Sequence, residues 1–175
     1  EGHGTRFTIE LELPIASEQQ IHEKKENQIE ELAKNLNGCR ILLAEDNDLN
    51  AEIAMTILQE HGVQVERAVN GEECVEMLKA QTADYYDAVL MDIQMPVMNG
   101  YDAARAIRQL TTPHAAVSII AMTANAFEED KQKAFAAGMD AYITKPVDVV
   151  SMMKTLHQII ETHRSDPDLS ENKYL

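Results

Sequence analysis

Three carboxylates, one hydroxyl and one ammonium group each follow closely on a short apolar segment of the chain. They belong to Glu45, Asp46, Asp92, Thr123 and Lys145. The apolar segments that precede them are 41–43, 88–91, 119–122 and 141–143. Carboxylates brought together repel each other unless a cation lies between them, and oxygen ligands suit Mg²⁺ or Mn²⁺ better than zinc. Because Mg²⁺ on few protein oxygens keeps open positions for a phosphoryl group, a carboxylate nucleophile fits this set.

The cation that such a cluster requires has two candidates. One is a divalent metal ion and the other is the ammonium group of Lys145, and the sequence leaves both open. Each residue also has a purely structural interpretation. Glu45 and Asp46 can complement the dipole at a helix N-terminus. Asp92 can be a turn residue, and Lys145 can be a surface lysine.

The apolar segments have the length and composition of strands buried in a parallel sheet. From Gly38 onward the chain alternates strand and helix five times, which predicts a doubly wound α/β fold with a five-stranded parallel sheet. The carboxyl ends of parallel strands form one edge, and open α/β proteins bind ligands in the crevice outside that edge. We therefore expect the five polar side chains to converge there.

Apolar residues at helical spacing mark the helices that cover this sheet. The first of these helices is marked by Leu49, Ile53, Ile57 and Leu58. The last is marked by a long core-facing stripe of Val147, Val150, Met153, Leu156, Ile159 and Ile160.

The ends of the chain differ from this central pattern. Apolar and polar residues alternate from Thr5 to Leu13, which predicts a strand. Residues 17–37 form a polar helix, and its thin apolar stripe favours a solvated connector over a coiled coil. The tail is polar and predicted to be loose. The predicted divisions are 1–16, a helical linker over 17–37, the α/β domain over 38–163 and a polar tail over 164–175.

Composition excludes several classes of partner. The 175 residues carry a formal net charge of -15, which argues against nucleic acid and against an anionic membrane surface. No segment has the apolar length of a membrane span. Cys39 and Cys74 lack metal-type spacing and fit a reducing compartment. These features predict a cytoplasmic location for this piece, while the longer protein is free to carry a membrane anchor elsewhere.

Residues 38 to about 163 resemble the receiver domain of the two-component response-regulator family. The resemblance rests on four motifs that occur in the family's order. They are Ile41-Leu42-Leu43-Ala44-Glu45-Asp46-Asn47, Met91-Asp92-Ile93-Gln94-Met95-Pro96-Val97-Met98-Asn99-Gly100, Ala121-Met122-Thr123-Ala124 and Thr144-Lys145-Pro146. Each motif alone is ambiguous, but the ordered set is specific. The resemblance implies the flavodoxin-like receiver fold.

The resemblance also implies a reaction, in which a phosphoryl group passes from a phosphohistidine to the carboxylate of Asp92. Glu45, Asp46, Asp92 and the backbone carbonyl of Gln94 would hold Mg²⁺ or Mn²⁺, and Lys145 would contact the phosphoryl oxygens. A receiver of this kind catalyses its own phosphorylation and dephosphorylation.

A conformational switch is a further implication. The Thr123 hydroxyl would move toward the new phosphoryl group, and Tyr142 would turn inward behind it. Permanent packing of the Tyr142 ring under the last two helices is an equal alternative. The residues two places after the acceptor and after the threonine, Gln94 and Asn125, would influence how fast the phosphate is lost.

The amino-terminal residues Gly2-His3-Gly4-Thr5-Arg6-Phe7 and the strand up to Pro14 resemble the closing hairpin of a histidine-kinase ATP-binding domain. An ordinary hairpin is the alternative. The order of this segment, the linker and the receiver implies a hybrid sensor histidine kinase whose catalytic core is absent from this chain. In such a protein the receiver passes phosphate to a histidine phosphotransfer protein. As an unpaired edge, the strand is expected to adhere to an apolar surface or to pair with another chain. A homodimer through this strand or the linker is one such outcome.

Three other classes share parts of this pattern. A nucleotide-binding enzyme of the same fold needs a phosphate-binding loop rich in Gly, Ser or Thr after the first strand, where this chain has Glu45 and Asp46. A phosphatase-type hydrolase usually has a second Asp two residues after its nucleophile, where this chain has Gln94. A pseudo-receiver that acts only as an interaction module is the main alternative.

Overall fold

The computed structural model describes residues 18–124 and 127–165. The predicted strand from Thr5 to Leu13, the role of Asn125 and most of the predicted tail therefore lie outside the described residues. The helices and strands, in chain order, are α1 Glu18–Leu36, β1 Arg40–Ala44, α2 Asp48–Glu60, β2 Gln64–Ala68, α3 Gly71–Ala80, β3 Ala88–Asp92, α4 Gly100–Arg108, a 3₁₀ turn at Pro113–Ala116, β4 Ser118–Thr123, α5 Glu128–Ala136, β5 Ala141–Thr144 and α6 Val149–Ser165.

The five strands form one parallel sheet in the order β2-β1-β3-β4-β5. The register aligns the strand ends that the sequence identified. Ala44 of β1 lies beside Met91 of β3, so the next residues, Glu45 and Asp92, stand at the same level. Asp92 in turn lies beside Met122 of β4. The polar residues therefore leave the sheet together at its carboxyl edge.

Helices cover both faces of the sheet, as its side-chain alternation requires. On β1, Leu42 and Ala44 face the side covered by α3, α4 and α5, whereas Ile41 and Leu43 face the side covered by α1, α2 and α6. Both faces of the central strands are thus buried. Among residues 18–124 and 127–165, none of the helices combines the length and the apolar character that a membrane span requires.

The packing of α2 differs from the stripe that its apolar spacing suggests. Leu49 and Ile53 are 65% and 50% exposed. The residues that α2 buries against the sheet are Ala51, Ala54 and Leu58. Small alanine side chains let a helix approach the sheet closely, and the neighbouring large side chains are then turned outward.

The linker helix α1 is not a solvated connector along its whole length, which corrects the sequence interpretation. It packs against α6, and Leu36 in its last turn is 1% exposed within the core. Leu32 and Ala33 pack against the same cluster. Gly38 then reverses the chain into β1 with a φ of +82°, a conformation that glycine adopts without strain. At the other end of the domain, α6 runs to Ser165, two residues into the predicted tail.

Both cysteines are free thiols in the core. Burial, followed by the negative charge of Glu73, raises the pKa of the Cys74 thiol to about 12. A thiol with so high a pKa is almost wholly protonated near neutral pH and reacts slowly, so Cys74 is a packing residue of the core.

The burial of Leu36 makes the linker helix part of the stability of the domain. Leu36→Ala should lower the free energy of unfolding by about 2 to 5 kcal/mol, because it removes buried methyl groups and leaves a cavity. Glu31→Ala, on an exposed position of the same helix, is the matched control. Urea unfolding followed by circular dichroism gives the midpoints. Equal midpoints for both variants and the unmodified chain would contradict the packing of α1 on the core.

Candidate functional site

A cleft of about 350 Å³ opens at the carboxyl edge of the sheet. Its lining contains the five side chains predicted from the sequence, Glu45, Asp46, Asp92, Thr123 and Lys145, together with Gln94. They come from the ends of four different elements of the chain. The predicted convergence of these residues is therefore observed in the structure.

Lys145 lies between two of the three carboxylates. Its Nζ atom is 2.6 Å from Oε2 of Glu45 and 2.8 Å from Oδ2 of Asp92. Glu45 is 2% exposed and Asp92 is 6% exposed, so these charge-assisted hydrogen bonds form away from bulk water and are stronger than exposed ones. The lysine is thus one of the two cations that the sequence left open.

The second oxygen of each buried carboxylate also accepts a hydrogen bond. Oε1 of Glu45 accepts from Nδ2 of Asn50 at 3.1 Å, and Oδ1 of Asp92 accepts from the backbone N–H of Gln94 at 3.2 Å. These bonds fix the carboxylate planes. Both acids are therefore held in one orientation.

The carboxylates still fit a divalent metal ion. Glu45, Asp46 and Asp92 each offer an oxygen atom, and these atoms lie within 4.8 Å of one another. A single lysine leaves a set of three carboxylates net negative, and oxygen ligands are those that Mg²⁺ prefers. Exposed Asp46 gives the set a side open to solvent, so an ion bound there would retain water molecules.

The buried charges shift each other's protonation. Burial raises the pKa of Asp92 above that of an ordinary carboxyl, and the charge of Glu45 raises it further, although the hydrogen bond and charge of Lys145 act in the opposite direction. Burial lowers the pKa of Lys145, but its hydrogen bonds with Asp92 and Glu45 outweigh burial and raise it overall. The lysine is therefore held firmly in its charged form.

Thr123 ends β4 at the floor of the cleft and is 8% exposed. Its carbonyl oxygen accepts a hydrogen bond from the backbone N–H of Lys145 at 2.7 Å. This bond joins the β4 end to the loop that carries the lysine. The backbone positions of Thr123 and Lys145 are therefore linked directly.

Tyr142 lies outside the cleft lining. Its ring is half-buried and meets the ring of Phe135 edge to face, with the centroids 6.2 Å apart. The ammonium of Lys131 lies 4.7 Å from the Tyr142 ring centroid on the α5 side. The ring thus packs against α5, and its partial exposure is compatible with both interpretations offered by the sequence.

Asn50 and Arg67 support the cleft but were not identified from the sequence. Asn50 lies one turn after Asn47, whose side chain caps α2 by accepting from the Asn50 N–H at 3.0 Å. Arg67 donates from Nε to the backbone carbonyl of Glu45 at 3.0 Å. The available signal for Arg67 was its position at the carboxyl end of a strand next to β1, which the sequence does not reveal without the strand order.

Comparison with known proteins connects this geometry to a family. The sequence model of the response regulator receiver domain matches residues 41–157. Hybrid signal transduction histidine kinase L of Dictyostelium discoideum is 39% identical over 112 residues, which are 62% of this chain and 6% of that protein. The chain spans 5% to 19% of the length of the histidine kinases compared.

Two solved structures share the fold. The receiver domain of a sensor histidine kinase from Pseudomonas aeruginosa, with a magnesium ion coordinated in its active-site cleft, aligns with a TM-score of 0.64 at 36% identity over 71% of this chain and 98% of that one. The receiver domain of the response regulator Ssk1 of Saccharomyces cerevisiae, crystallised with the histidine phosphotransfer protein Ypd1, aligns with a TM-score of 0.65 at 29% identity, over 73% of this chain and 92% of that one.

The predicted flavodoxin-like receiver fold is thus confirmed by strand order, by the sequence match and by the solved structures. The chain belongs to the response regulator receiver domain family.

Proposed function

We propose that this chain accepts a phosphoryl group from a phosphohistidine onto Asp92 and passes it on within a phosphorelay. The observation that carries this proposal is the buried Asp92 carboxylate, which Lys145 contacts at 2.8 Å beside two further carboxylates. A structural ion pair needs one acid for one base. The surplus of acids at a solvent-accessible cleft is accounted for by a site that binds a metal ion and a phosphoryl group.

In the proposed reaction, one carboxylate oxygen of Asp92 attacks phosphorus and the bond between phosphorus and the histidine nitrogen breaks. The electron pair of that bond returns to the imidazole ring, and Asp92 becomes an acyl phosphate. The backbone N–H of Gln94 and the Lys145 ammonium orient the attacking carboxylate. Lys145 then exchanges a carboxylate contact for a phosphoryl oxygen, which stabilises the charge of the transferring group.

Glu45, Asp46, Asp92 and the backbone carbonyl of Gln94 are the proposed ligands of Mg²⁺, for which Mn²⁺ can substitute. When bound, the ion supplies positive charge to the phosphoryl oxygens. The magnesium ion in the Pseudomonas aeruginosa receiver supports this assignment. Asn50 holds Glu45 in place from α2, so it belongs to the proposed metal site as an orienting residue.

Thr123 and Tyr142 are proposed to convert phosphorylation into a change of shape. Thr123 is supported by its position at the floor of the cleft and by its backbone bond to Lys145. Tyr142 is supported by a half-buried ring on the strand that precedes Lys145. Gln94 lines the cleft two residues after the acceptor, where its side chain is placed to influence access of water to the acyl phosphate.

A histidine phosphotransfer protein is the proposed recipient, and the kinase domain of the same longer protein is the proposed donor. The hybrid kinases among the relatives and the yeast complex with Ypd1 support these partners. We propose that residues 1–16 are the end of a kinase ATP-binding domain. The helix predicted as a linker over 17–37 packs on the domain predicted over 38–163, and α6 extends that domain to Ser165. Pairing of two chains through the N-terminal strand or linker, and a cytoplasmic location, stay predictions.

Apolar surface beside the cleft supports a protein donor or recipient. A phosphohistidine side chain reaches Asp92 only if its own protein covers the cleft. Leu49 and Ile53 are exposed on α2, and an apolar groove of about 170 Å³ that includes Ile53 shares Glu45 and Lys145 with the cleft lining. A partner seated on this surface buries apolar area next to the acceptor.

The acceptor assignment is tested by intact mass after incubation with acetyl phosphate and Mg²⁺. The unmodified chain should gain one phosphoryl group, whereas Asp92→Asn should gain none, because the amide is a poor nucleophile. A sample with chelator in place of Mg²⁺ is the control and should also stay unmodified. An adduct that persists in Asp92→Asn would refute the assignment of Asp92 as the acceptor. Absence of any adduct on the chain of original sequence would favour the alternative that the domain is a pseudo-receiver.

The close approach of α4 to the acceptor gives a second prediction. A Cβ atom at Gly100 would press on the backbone carbonyl of Asp92, and one at Gly71 would press on that of Met98. Gly100→Ala and Gly71→Ala should each lower the free energy of unfolding by about 1 to 3 kcal/mol through overpacking. Only Gly100→Ala should also slow phosphorylation of the folded protein by acetyl phosphate, since it displaces the acceptor. Equal rates for the two variants would show that the acceptor tolerates the displacement.

The apolar surface at Leu49 and Ile53 is proposed to dock the partner protein, and a comparison of two phosphoryl donors tests this role. Ile53→Glu should slow transfer from a phosphorylated histidine phosphotransfer protein by roughly tenfold or more, which corresponds to the loss of about 1.4 kcal/mol of docking energy. Its rate with acetyl phosphate should not change. Gln59→Glu adds the same charge at an exposed position outside the groove and should leave both rates unchanged. Equal slowing with both donors would mean that Ile53 acts on the chemistry and not on docking.

A further inference from the structure

Arg67 joins β2 to residues 45–48, the acidic loop that follows β1, through three separate nitrogen atoms. Its Nε donates to the backbone carbonyl of Glu45 at 3.0 Å and its Nη2 to that of Asp46 at 3.1 Å. Its Nη1 lies 2.8 Å from Oδ1 of Asp48. The Arg67 side chain is 21% exposed and that of Asp48 is 92% exposed, and the contact with the Glu45 carbonyl is the partly buried part of this arrangement.

The two carbonyl groups belong to the turn between the sheet and α2. The last sheet-type bond of this segment runs from the Glu45 N–H to Ala68. The helical bonds begin with the Ala51 N–H donating to the carbonyl of Asn47. The carbonyls of Glu45 and Asp46 stand between these two regular patterns, and Arg67 supplies hydrogen-bond donors to both. The planar guanidinium group suits this task because its donors are fixed relative to each other.

We infer that Arg67 is a positioning residue, which sets the direction of the Glu45 and Asp46 side chains so that they bind Mg²⁺ together with Asp92. This inference rests on the proposed metal site. A peptide group held at its carbonyl fixes the orientation of the residue that carries it, and the carboxylates of both residues lie within 4.8 Å of that of Asp92. Arg67 contacts the backbone and not these carboxylates, so it acts on the metal ion only through the loop.

Charge and positioning predict opposite effects of removing Arg67. Coulomb's law makes a nearby guanidinium unfavourable for a bound cation, so loss of the charge should strengthen Mg²⁺ binding. Loss of positioning should weaken binding, because the ligands must then be ordered when the ion binds. The side chains of Arg67 and Asp48 are 21% and 92% exposed, so solvent and salt screen the effects of charge there. We therefore expect positioning to dominate.

The test is calorimetric titration of the whole chain with Mg²⁺. Arg67→Gln and Arg67→Lys should both weaken binding by about 10-fold or more, in line with the usual effect of removing a group that orients a metal ligand. Lysine keeps the charge but reaches only one carbonyl at a time. Asp48→Asn removes the ion pair, leaves the carbonyl contacts and should change the affinity by less than about twofold. Arg67→Gln that binds Mg²⁺ as tightly as the unmodified chain, or more tightly, would overturn the inference.

A second measurement separates this inference from the metal site itself. Without metal, amide hydrogen exchange in residues 45–48 should be faster in Arg67→Lys than in the unmodified chain, because the loop has lost its anchor. Unchanged exchange would overturn the positioning role even if Mg²⁺ bound normally. If the unmodified chain bound no Mg²⁺, the proposed function would fail, while the exchange data would still decide whether Arg67 orders the loop. If Arg67→Gln does not fold, the Mg²⁺ titration and hydrogen exchange of Arg67→Lys decide whether Arg67 positions the loop.

Discussion

The repulsion among three carboxylates at one sheet edge is the constraint on which the rest of the structure depends. Two like charges about 4 Å apart repel by about 4 kcal/mol at the effective dielectric of a protein surface, and a whole domain is stable by only about 5 to 15 kcal/mol. Lys145 offsets part of this repulsion because its ammonium group contacts both Glu45 and Asp92. One lysine cannot balance three acids, and this surplus of negative charge favours the proposed site for a divalent cation and a phosphoryl group.

Holding such a cluster together requires a rigid frame, and the parallel sheet provides it. Lys145 and Glu45 are a hundred residues apart in the chain, yet the strand register sets both at the same edge. The helices on both faces then restrict the strand ends, and Gly100 lets α4 begin against the backbone of Asp92. The linker helix α1 adds to the face of α2 and α6. A segment outside the receiver motifs thus contributes to the frame that positions Asp92.

The sequence revealed what depends on one strand at a time. Buried parallel strands are nearly continuous apolar runs, so the polar residues that closely follow each run mark the edge. Glu45, Asp92 and Thr123 are the first polar residues after their runs, whereas Asp46 and Lys145 each come one polar residue later. Features that depend on two elements were missed or misjudged. Exposure of Ile53 follows from the close approach of Ala51 and Ala54 to the sheet, and burial of Leu36 follows from the neighbouring helix. Neither partner is visible in the local periodicity of α2 or α1.

Arg67 and Lys145 illustrate why arginine and lysine are not interchangeable beside the cleft. Arg67 contacts two backbone carbonyls, and the fixed donors of a planar guanidinium group match acceptors whose spacing the chain sets. Lys145 contacts two carboxylates, and in the proposed reaction the charge and partners of Asp92 change when a phosphoryl group arrives. The flexible stem and three rotatable donors of the lysine allow it to transfer a hydrogen bond from carboxylate to phosphoryl oxygen without moving the backbone. In the proposed mechanism, Arg67 therefore fixes the metal ligands, and Lys145 follows the reacting group.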